Sequence, residues 1–270
     1  MLISDSNNPV YFIADVHLAE DRPLVTEGFI KFCEIMAAEK ATVFIIGDLF
    51  DAWLGDDMMG DLEKQTLEAI KQITQSGGNT LFIAGNRDFL VGDEFFASSG
   101  LQKLQDTELR DISGKKILLL HGDELCILDR VHQSQRKIIR ASEWKNSILA
   151  KSAEERIQLK QEYFSLSNTH VKDTKQDLLE IPVDHIEKLL VNDDLDIMIY
   201  GHIHEPKSQL VTIQGKQRQV MCLGDWGNQD SAWFGKMDGE IADLYRLSLT
   251  HLCEANNLDQ AIKVKAIKVG

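Results

Sequence analysis

The sequence lacks long apolar runs and paired cysteines, and we expect no export signal. Its longest apolar stretches, such as residues 42–46 and 117–120, are far shorter than the roughly 20 residues that cross a bilayer. The first nine residues are polar and place no apolar segment after a basic one, so we expect no signal peptide. These features favour a cytoplasmic protein. The cysteines show no paired spacing, and we expect reduced, mostly buried thiols at Cys33, Cys126, Cys222 and Cys253.

Positive charge is also scarce. Lys and Arg number 29 against 43 Asp and Glu, which gives a formal net charge of −14. Binding to a nucleic-acid backbone needs clustered Lys and Arg, so we predict no nucleic-acid partner. Residues 130–175 are an exception, because they include ten Lys and Arg but only five Asp and Glu. This segment is either a place for an anionic ligand or a solvated helical face, and charge alone does not decide between them.

Short apolar runs alternate with helical patterns in the first part of the chain. The runs are rich in β-branched residues and Phe, and they predict buried strands at residues 10–14, 42–46, 80–84, 116–120, 196–200 and 219–223. Helical spacing follows Pro23, and a second helical pattern covers residues 61–75. Strands that alternate with helices indicate an α/β fold. A chain of 270 residues is long enough for one such domain with an insertion.

Residues from about 127 to 195 contain no strand-like run. An amphipathic stripe predicts a helix in this region, with Ile138, Ala141, Trp144 and Ile148 on its apolar face. Ser152 and Glu155 have the spacing of a capping box, which predicts the start of a further helix. We interpret the region as a helical insertion on the α/β body.

Five of the predicted strands end directly in polar residues. The side chains concerned are Asp15, His17, Asp48, Asn86, His121, His202 and His204. Because the carboxyl ends of the strands form the ligand crevice in α/β sheets, these side chains should meet at one rim. Taken alone, Asp-x-His, Gly-Asp and Gly-Asn are commonly turns, and Gly-His-x-His is as often a ligand pair as not, but chance assembly of the ordered set is remote. Carboxylate, imidazole and amide-oxygen ligands without a thiolate predict a catalytic site for Mn, Fe or Zn.

Local patterns support ligand pairs within this set. In an extended segment, residues i and i+2 point the same way, so Asp15 and His17 should reach one ion together. The same argument applies to His202 and His204. Glycine permits a tight turn and close approach of the backbone to a ligand, and it stands directly before Asp48, Asn86 and His202.

The ordered motifs Asp-x-His, Gly-Asp, Gly-Asn, His-Gly-Asp and Gly-His-x-His resemble those of the calcineurin-like metallophosphoesterases. The resemblance implies an α/β fold, a four-layer α/β/β/α sandwich, with two divalent metal ions. It also implies the ligands: Asp15, His17 and His204 for one ion, Asn86, His121 and His202 for the other, and Asp48 between them. The predicted domain covers residues 1–250, with the helical insertion at about 127–195 as a cap, and residues 251–270 form a tail.

Within that family, four segments resemble the branch that serves lipid A synthesis. These segments are residues 47–57, 85–90, 121–126 and 223–226. The branch splits UDP-2,3-diacylglucosamine into UMP and the acylated sugar 1-phosphate, typically with Mn²⁺. The resemblance therefore implies a nucleotide-linked lipid substrate, a cap that holds the lipid, and peripheral contact with the cytoplasmic face of the inner membrane. The oligomeric state stays open.

The predicted reaction is attack on the α-phosphorus by a hydroxide held between the two ions, with Asp48, Asn86 and Arg87 as the catalytic residues. Arg87 stands where many relatives have His, and a fixed positive charge suits a phosphate leaving group. The predicted substrate contacts are Asn86, Arg87, Asp129, Arg136, Arg140, Asn168, Lys172, Lys175 and His202. Trp144, Ile148 and Phe164 either face acyl chains or pack within the cap.

The sequence also allows two alternatives. The cap is shorter and more polar than is common in the family, which favours another nucleotide-linked diphosphate or a phosphodiester as substrate. A scaffold protein that kept the fold without catalysis is disfavoured by the complete set of seven ligand residues.

Overall fold

The computed structural model describes residues 8–173 and 180–269. Its helices are α1 (Pro23–Ala38), α2 (Asp61–Gln75), α3 (Asp93–Ser99), α4 (Arg130–Arg140), α5 (Ser142–Leu149), α6 (Ala153–Asp173), α7 (Val183–Asn192) and α8 (Leu249–Glu254). Short 3-10 turns lie at Asp56–Met58 and Asp123–Leu125. Among the described residues, no helix is both long and apolar enough to cross a membrane.

The strands form two mixed sheets. They are β1 (Val10–Ile13), β2 (Thr42–Ile46), β3 (Asn79–Ile83), β4 (Gln102–Lys103), β5 (Thr107–Ile112), β6 (Lys115–Leu120), β7 (Ile197–Tyr200), β8 (Lys207–Ile213), β9 (Lys216–Cys222), β10 (Ser231–Asp238), β11 (Ile241–Ser248), β12 (Ile262–Val264) and β13 (Ile267–Val269). The first sheet has the order β12-β11-β10-β1-β2-β3-β4, and the second has the order β13-β8-β9-β7-β6-β5. All six predicted strands are present.

Successive side chains along the strands point to different layers of the fold. On β1, Tyr11 and Ile13 pack toward α1 and α2, whereas Phe12 faces the second sheet and shares a core with Ile117 and Ile199. The opposite face of the second sheet packs on α7, where Leu190 is fully buried. Successive side chains of a strand point to opposite faces, so runs that are apolar at every position can fill two cores at once. The predicted four-layer α/β/β/α sandwich is confirmed.

The parallel pairing of β1, β2 and β3 aligns their ends. Val10 pairs with Thr42, and Thr42 pairs with Asn79, so the three strands run in register. In the second sheet β6 and β7 are also parallel, with Ile117 beside Ile197. The carboxyl ends of these five strands are the places that the sequence marks with polar residues.

The region predicted as a cap contains α4, α5, α6 and α7 and, in its described part, no strand. Ser152 and Glu155 form the expected capping box, because each backbone N–H donates to the other side chain. The single amphipathic helix across residues 138–148 is not present. The chain is extended at Ala141, where α4 gives way to α5, and Ile138 is 57% exposed. The interpretation of residues 127–195 as a separate cap stays a prediction.

The C-terminal segment contributes two edge strands that the sequence analysis did not predict. β12 pairs with β11 at the edge of the first sheet, and β13 pairs with β8 at the edge of the second. The four cysteines are free, and all except Cys253 are buried, as expected.

Candidate two-metal active site

The seven candidate ligand residues lie just beyond the carboxyl ends of β1, β2, β3, β6 and β7, as predicted. Five of them have a left-handed backbone with φ between 53° and 67°: Asp15, His17, Asp48, His202 and His204. A residue with a Cβ pays on the order of 1–3 kcal/mol for such a conformation and keeps it only where the surroundings impose it. Backbone strain is therefore concentrated where these side chains converge.

The left-handed backbone differs from the extended conformation predicted for these residues. The pairing of Asp15 with His17, and of His202 with His204, was expected from the alternation of an extended strand. β1 ends at Ile13 and β7 ends at Tyr200, so neither pair lies in a strand. Left-handed turns bring the side chains together instead.

The first cluster gathers around the carboxylate of Asp15. Its Oδ1 atom lies 3.3 Å from Nε2 of His204 and 3.9 Å from Nε2 of His17, and the two Nε2 atoms are 3.2 Å apart. Asp15 is fully buried, and its Oδ1 forms no hydrogen bond with the described residues. A buried carboxylate oxygen facing two imidazole nitrogens is a donor set that a divalent cation fits.

The second cluster gathers around the side-chain oxygen of Asn86. Nε2 of His121 lies 3.0 Å from Asn86 Oδ1, and Nδ1 of His202 lies 2.9 Å from it. Burial and the neighbouring His121 hold the pKa of His202 at about 4. The imidazole of His202 is therefore neutral at physiological pH, which is the form that binds a metal.

Asp48 lies between the two clusters. Its Oδ2 atom is 3.6 Å from Nε2 of His121, and the ligand atoms of Asp15, Asp48 and His121 all lie within 4.8 Å of one another. Burial raises the pKa of Asp48, but the His121 and His17 imidazoles outweigh it and hold this pKa below its ordinary value. An ionised carboxylate in this position suits a ligand shared by two cations.

The glycines before three candidate ligands allow the close packing that was predicted. A Cβ at Gly47 would overlap the ring of His121, and a Cβ at Gly85 would overlap the carboxylate of Asp48. A Cβ at Gly201 would overlap the carboxylate of Asp15. At each of these positions any side chain would displace a candidate ligand.

Asp88 is a supporting residue whose role the sequence analysis missed. It is fully buried, and its carboxyl accepts hydrogen bonds from the backbone N–H groups of Leu49 at 2.7 Å and Gly85 at 2.8 Å. It thus ties together the turns that carry Asp48 and Asn86. Burial and the nearby Asp48 raise the pKa of Asp88 to about 7. Its place two residues after Asn86 was the available signal.

Arg87 points its guanidinium toward Asp51. The distance from Nη1 of Arg87 to Oδ1 of Asp51 is 3.7 Å, and the side chain of Arg87 is 28% exposed. Asp51 Oδ1 also lies 4.0 Å from Nδ1 of His17. Arg87 is therefore close to the first cluster through Asp51 and next to Asn86 of the second.

The predicted substrate contacts of the cap fall into two groups. Asp129, Arg136 and Arg140 are described. The side chains of Asn168 and Lys172, and the whole of Lys175, lie outside the described residues. Asp129 is buried, and its Oδ1 accepts from the backbone N–H of His132 at the start of α4. The substrate contacts of all these residues stay predictions.

Arg136 and Arg140 have carboxylate partners within the protein. Nε of Arg136 donates to Oδ2 of the fully buried Asp123 at 2.8 Å, and Nη1 of Arg140 lies 3.0 Å from Oδ1 of Asp106. Nη2 of Arg136 is also 3.5 Å from Glu124. A substrate phosphate would have to compete with these acidic groups.

His132 is a neighbour of the site that was not predicted as a contact. Its ring stacks on that of His202, with centroids 5.7 Å apart. Its buried Nε2 atom has no hydrogen-bond partner among the described residues. The ring extends the second cluster toward α4.

A largely apolar cavity of about 230 Å³ is lined by residues of the α/β body, among them Asn86 and Arg87, and by residues of helices α5 and α6. Its apolar wall includes Trp53, Phe89, Leu90, Trp144, Ile148 and Leu159. Two of the three residues considered for an apolar contact, Trp144 and Ile148, line it, and the side chain of the third, Phe164, lies outside the described residues.

Arg156, on the same wall, fixes α6 to the body. Its guanidinium donates to both carboxylate oxygens of Asp57 at 2.6 Å and to the carbonyl of Leu54 at 2.7 Å. Bidentate pairing of this kind is strong and geometrically specific. In the sequence, Arg156 is distinguished only as part of the basic segment.

Comparison with known proteins identifies the family of the chain. The sequence model of the calcineurin-like phosphoesterases matches residues 8–206. The chain therefore belongs to the calcineurin-like phosphoesterase family and is a hydrolase. This family uses divalent metal ions, and the candidate residues for binding them are present.

Curated relatives narrow the comparison. The chain is 35% identical over 214 residues to a UDP-2,3-diacylglucosamine hydrolase of Chromohalobacter salexigens, covering 79% of this chain and 87% of that protein. It is 34% identical over 232 residues to a UDP-2,3-diacylglucosamine hydrolase of Vibrio parahaemolyticus, covering 84% and 94%. A third relative with the same description, from Cellvibrio japonicus, is 31% identical over 218 residues, covering 81% and 91%.

Proposed function

We propose that this protein hydrolyses the diphosphate of UDP-2,3-diacylglucosamine to UMP and 2,3-diacylglucosamine 1-phosphate. The observation that carries the proposal is an apolar cavity whose lining includes Arg87 and the candidate metal ligand Asn86. A substrate that joins a diphosphate to acyl chains needs a charged site and an apolar chamber side by side. The relatives described as UDP-2,3-diacylglucosamine hydrolases support the same substrate.

In this proposal two divalent ions, with Mn²⁺ as the expected metal, occupy the clusters. Asp15, His17 and His204 would hold one ion, Asn86, His121 and His202 the other, and Asp48 both. Metal ions bound there supply Lewis-acid polarisation of a phosphoryl oxygen and of water. The left-handed turns position the protein's own ligands for that task, and the buried Oδ1 of Asp15, which has no hydrogen-bond partner among the described residues, is available to a cation.

Arg87 meets the diphosphate in this arrangement. The sugar phosphate leaves as an anion, because a phosphate monoester has a second pKa near ~6. The guanidinium keeps its charge at any physiological pH and need not donate a proton to such a leaving group. Its position in the lining of the cavity, next to Asn86, suits contact with the phosphate that joins the acylated sugar.

The cavity favours an acylated substrate over a soluble one. Trp144 and Ile148 form part of its wall, and the ring of Phe89 lies 5.9 Å from that of Trp144. A soluble nucleotide sugar would leave this wall unused, whereas an acyl chain would remove apolar surface from water. Because such a substrate resides in a membrane, the proposal includes a cytoplasmic location with peripheral contact to the inner membrane.

An assay of UMP release tests the proposal. UDP-2,3-diacylglucosamine and unacylated UDP-glucosamine are compared with Mn²⁺ present, and again after chelation. We expect rapid release from the acylated substrate only, and none after chelation. Equal rates on the two substrates would contradict the proposed specificity for an acylated substrate. Release of UMP from UDP-glucosamine alone would favour another nucleotide-linked diphosphate as the substrate. Activity on a phosphodiester without UMP release would remove the diphosphatase assignment.

A further inference from the structure

We propose that two arginines, Arg22 and Arg140, act as positioning residues, each holding the backbone of a different half of the candidate metal site. The inference rests on the metal sites of the proposed function, but not on the identity of the substrate. It gives Arg140 a role different from the predicted substrate contact, and Arg22 a role that no sequence motif indicated.

Arg22 forms hydrogen bonds to the turn that carries Asp15 and His17 of the first cluster. Its Nη1 donates to the carbonyl of His17 at 2.8 Å and to that of Val16 at 3.2 Å, and its Nη2 donates to the carbonyl of Trp226. The backbone N–H of Trp226 in turn donates to the carbonyl of Asp15 at 3.0 Å. One guanidinium therefore joins the Asp15–His17 turn to a segment more than 200 residues away in sequence.

Arg140 forms hydrogen bonds to the turn that carries Asn86. Its Nη2 donates to the carbonyls of Ala84 at 3.2 Å and Gly85 at 3.1 Å. The same nitrogen lies 3.3 Å from Oδ2 of Asp123, two residues after His121. The side chain is only 9% exposed, so α4 delivers its charge to the interior rather than to solvent. Arg140 thus connects the turns of two ligands of the second cluster.

In the Asp15–His17 turn, the backbone N–H groups and the backbone carbonyls form hydrogen bonds to different partners. On the N–H side, Asp15 donates to the carbonyl of Gly47 and His17 to that of Asp48. On the carbonyl side, Arg22 is the partner of His17. With φ of 53° at both Asp15 and His17, the turn relaxes toward ordinary backbone geometry unless both sides are held. Groups that orient metal ligands typically change metal affinity about 10- to 100-fold when they are removed.

The chain contains a matched control. Arg218 is also a buried arginine that donates to backbone carbonyls, those of Leu190 and Leu195, and it pairs with Asp194. These partners lie on α7 and in the segment that follows it, and none of them is a candidate ligand. Arg218→Ala therefore removes a comparable set of hydrogen bonds without touching a ligand turn.

The test is calorimetric titration of the metal-free full-length protein with Mn²⁺. We expect Arg22→Ala and Arg140→Ala each to weaken one of two binding events about 10- to 100-fold, and Arg→Lys at either position to recover part of the loss. We expect Arg218→Ala to lower the melting temperature but to bind both ions as the wild type does. Melting in the presence of chelator reports folding separately, and Arg→Gln replaces any Ala variant that does not fold.

A ligand variant assigns each arginine to its half. In a His204→Ala background, which removes a ligand of the first cluster, Arg140→Ala should still weaken the remaining ion and Arg22→Ala should not. Wild-type affinities in both arginine variants would overturn the proposal, and so would an equal loss in Arg218→Ala. A wild-type protein that binds Mn²⁺ but releases no UMP would refute the proposed substrate and leave this inference standing, whereas one that binds no divalent ion would refute both.

Discussion

The backbone N–H of Arg87 donates a hydrogen bond to Oδ1 of Asp48 at 2.8 Å. The main chain of residue 87 therefore holds the carboxylate that lies between the two clusters of candidate ligands. The guanidinium of the same residue points toward Asp51 and lines the cavity. Because a side-chain substitution keeps the backbone N–H, the contribution of the guanidinium can be measured with the position of Asp48 preserved.

Replacing Arg87 with Ala or His should reduce kcat by about 100-fold or more on UDP-2,3-diacylglucosamine, the scale seen when one group that stabilises transition-state charge is removed. A His side chain has a reference pKa near ~6.5, so it is mostly neutral above pH 7. Arg87→His should therefore recover part of the rate as the pH falls toward 6, and Arg87→Ala should not. A pH–rate profile from pH 6 to 9 measures this difference.

Metal content is the control for the Arg87 variants. Both should bind as many ions as the wild type, since the backbone contact to Asp48 is retained. A wild-type rate in Arg87→His across the whole pH range would mean that Arg87 has no catalytic role.

Asp48→Asn should abolish measurable hydrolysis and remove at least one ion. The change keeps the size of the side chain but removes the charge that two neighbouring cations would share. Elemental analysis of the dialysed protein gives the ion count, and UMP release gives the rate. Activity within about tenfold of the wild type, with two ions bound, would show that Asp48 is not the shared ligand.

Gly85→Ala should disrupt the candidate metal site through steric overlap alone. The added Cβ would overlap the carboxylate and backbone N of Asp48, so the two turns must separate. Overpacking of this kind costs about 1–3 kcal/mol of stability, and we expect a loss of Mn²⁺ affinity as well. Gly60→Ala is the matched control, because its Cβ would meet only the end of the Glu63 side chain. Thermal melts and metal titrations of the two variants should differ, and similar behaviour in both would contradict the packing argument.

Trp144→Ala should raise KM for the diacylated substrate about tenfold, because an acyl chain in the cavity loses the apolar surface of the ring. Ile138→Ala is the control within the same helical region, since Ile138 is 57% exposed and does not line the cavity. Steady-state kinetics on both variants provide the comparison. An unchanged KM in Trp144→Ala would remove the cavity from substrate binding.

The candidate metal site could be predicted from sequence because each ligand follows a strand of unmistakable composition. Parallel strands carry their ends to one edge of a sheet, so Asp15, Asp48 and Asn86 needed no further information to be placed together. The left-handed turns could not be predicted, because Asp and His carry no local signal for positive φ comparable with that of Gly.

The carboxylate partners of the basic side chains could not be predicted from the sequence, for a different reason. The segment 130–175 was recognised as basic, but the carboxylates that meet Arg136 and Arg140 come from Asp106 and Asp123, outside that segment. Charge counted along the chain does not reveal compensation across space. The edge strands β12 and β13 were missed because each has only three residues, which is too few for a periodic pattern in the sequence.

The position of β1 has a consequence for synthesis of the chain. This strand is buried at every residue and pairs on one side with β2, but on the other side with β10, where Phe12 meets Gly235. At about 5–20 residues per second, the ribosome needs roughly 10–40 s to advance from β2 to β10. For that interval an apolar strand edge stands open on the nascent chain, and such edges recruit other chains. We expect ribosome-bound chains halted near residue 200 to crosslink to chaperones through the segment around Phe12, and chains long enough to include β10 to lose that crosslink.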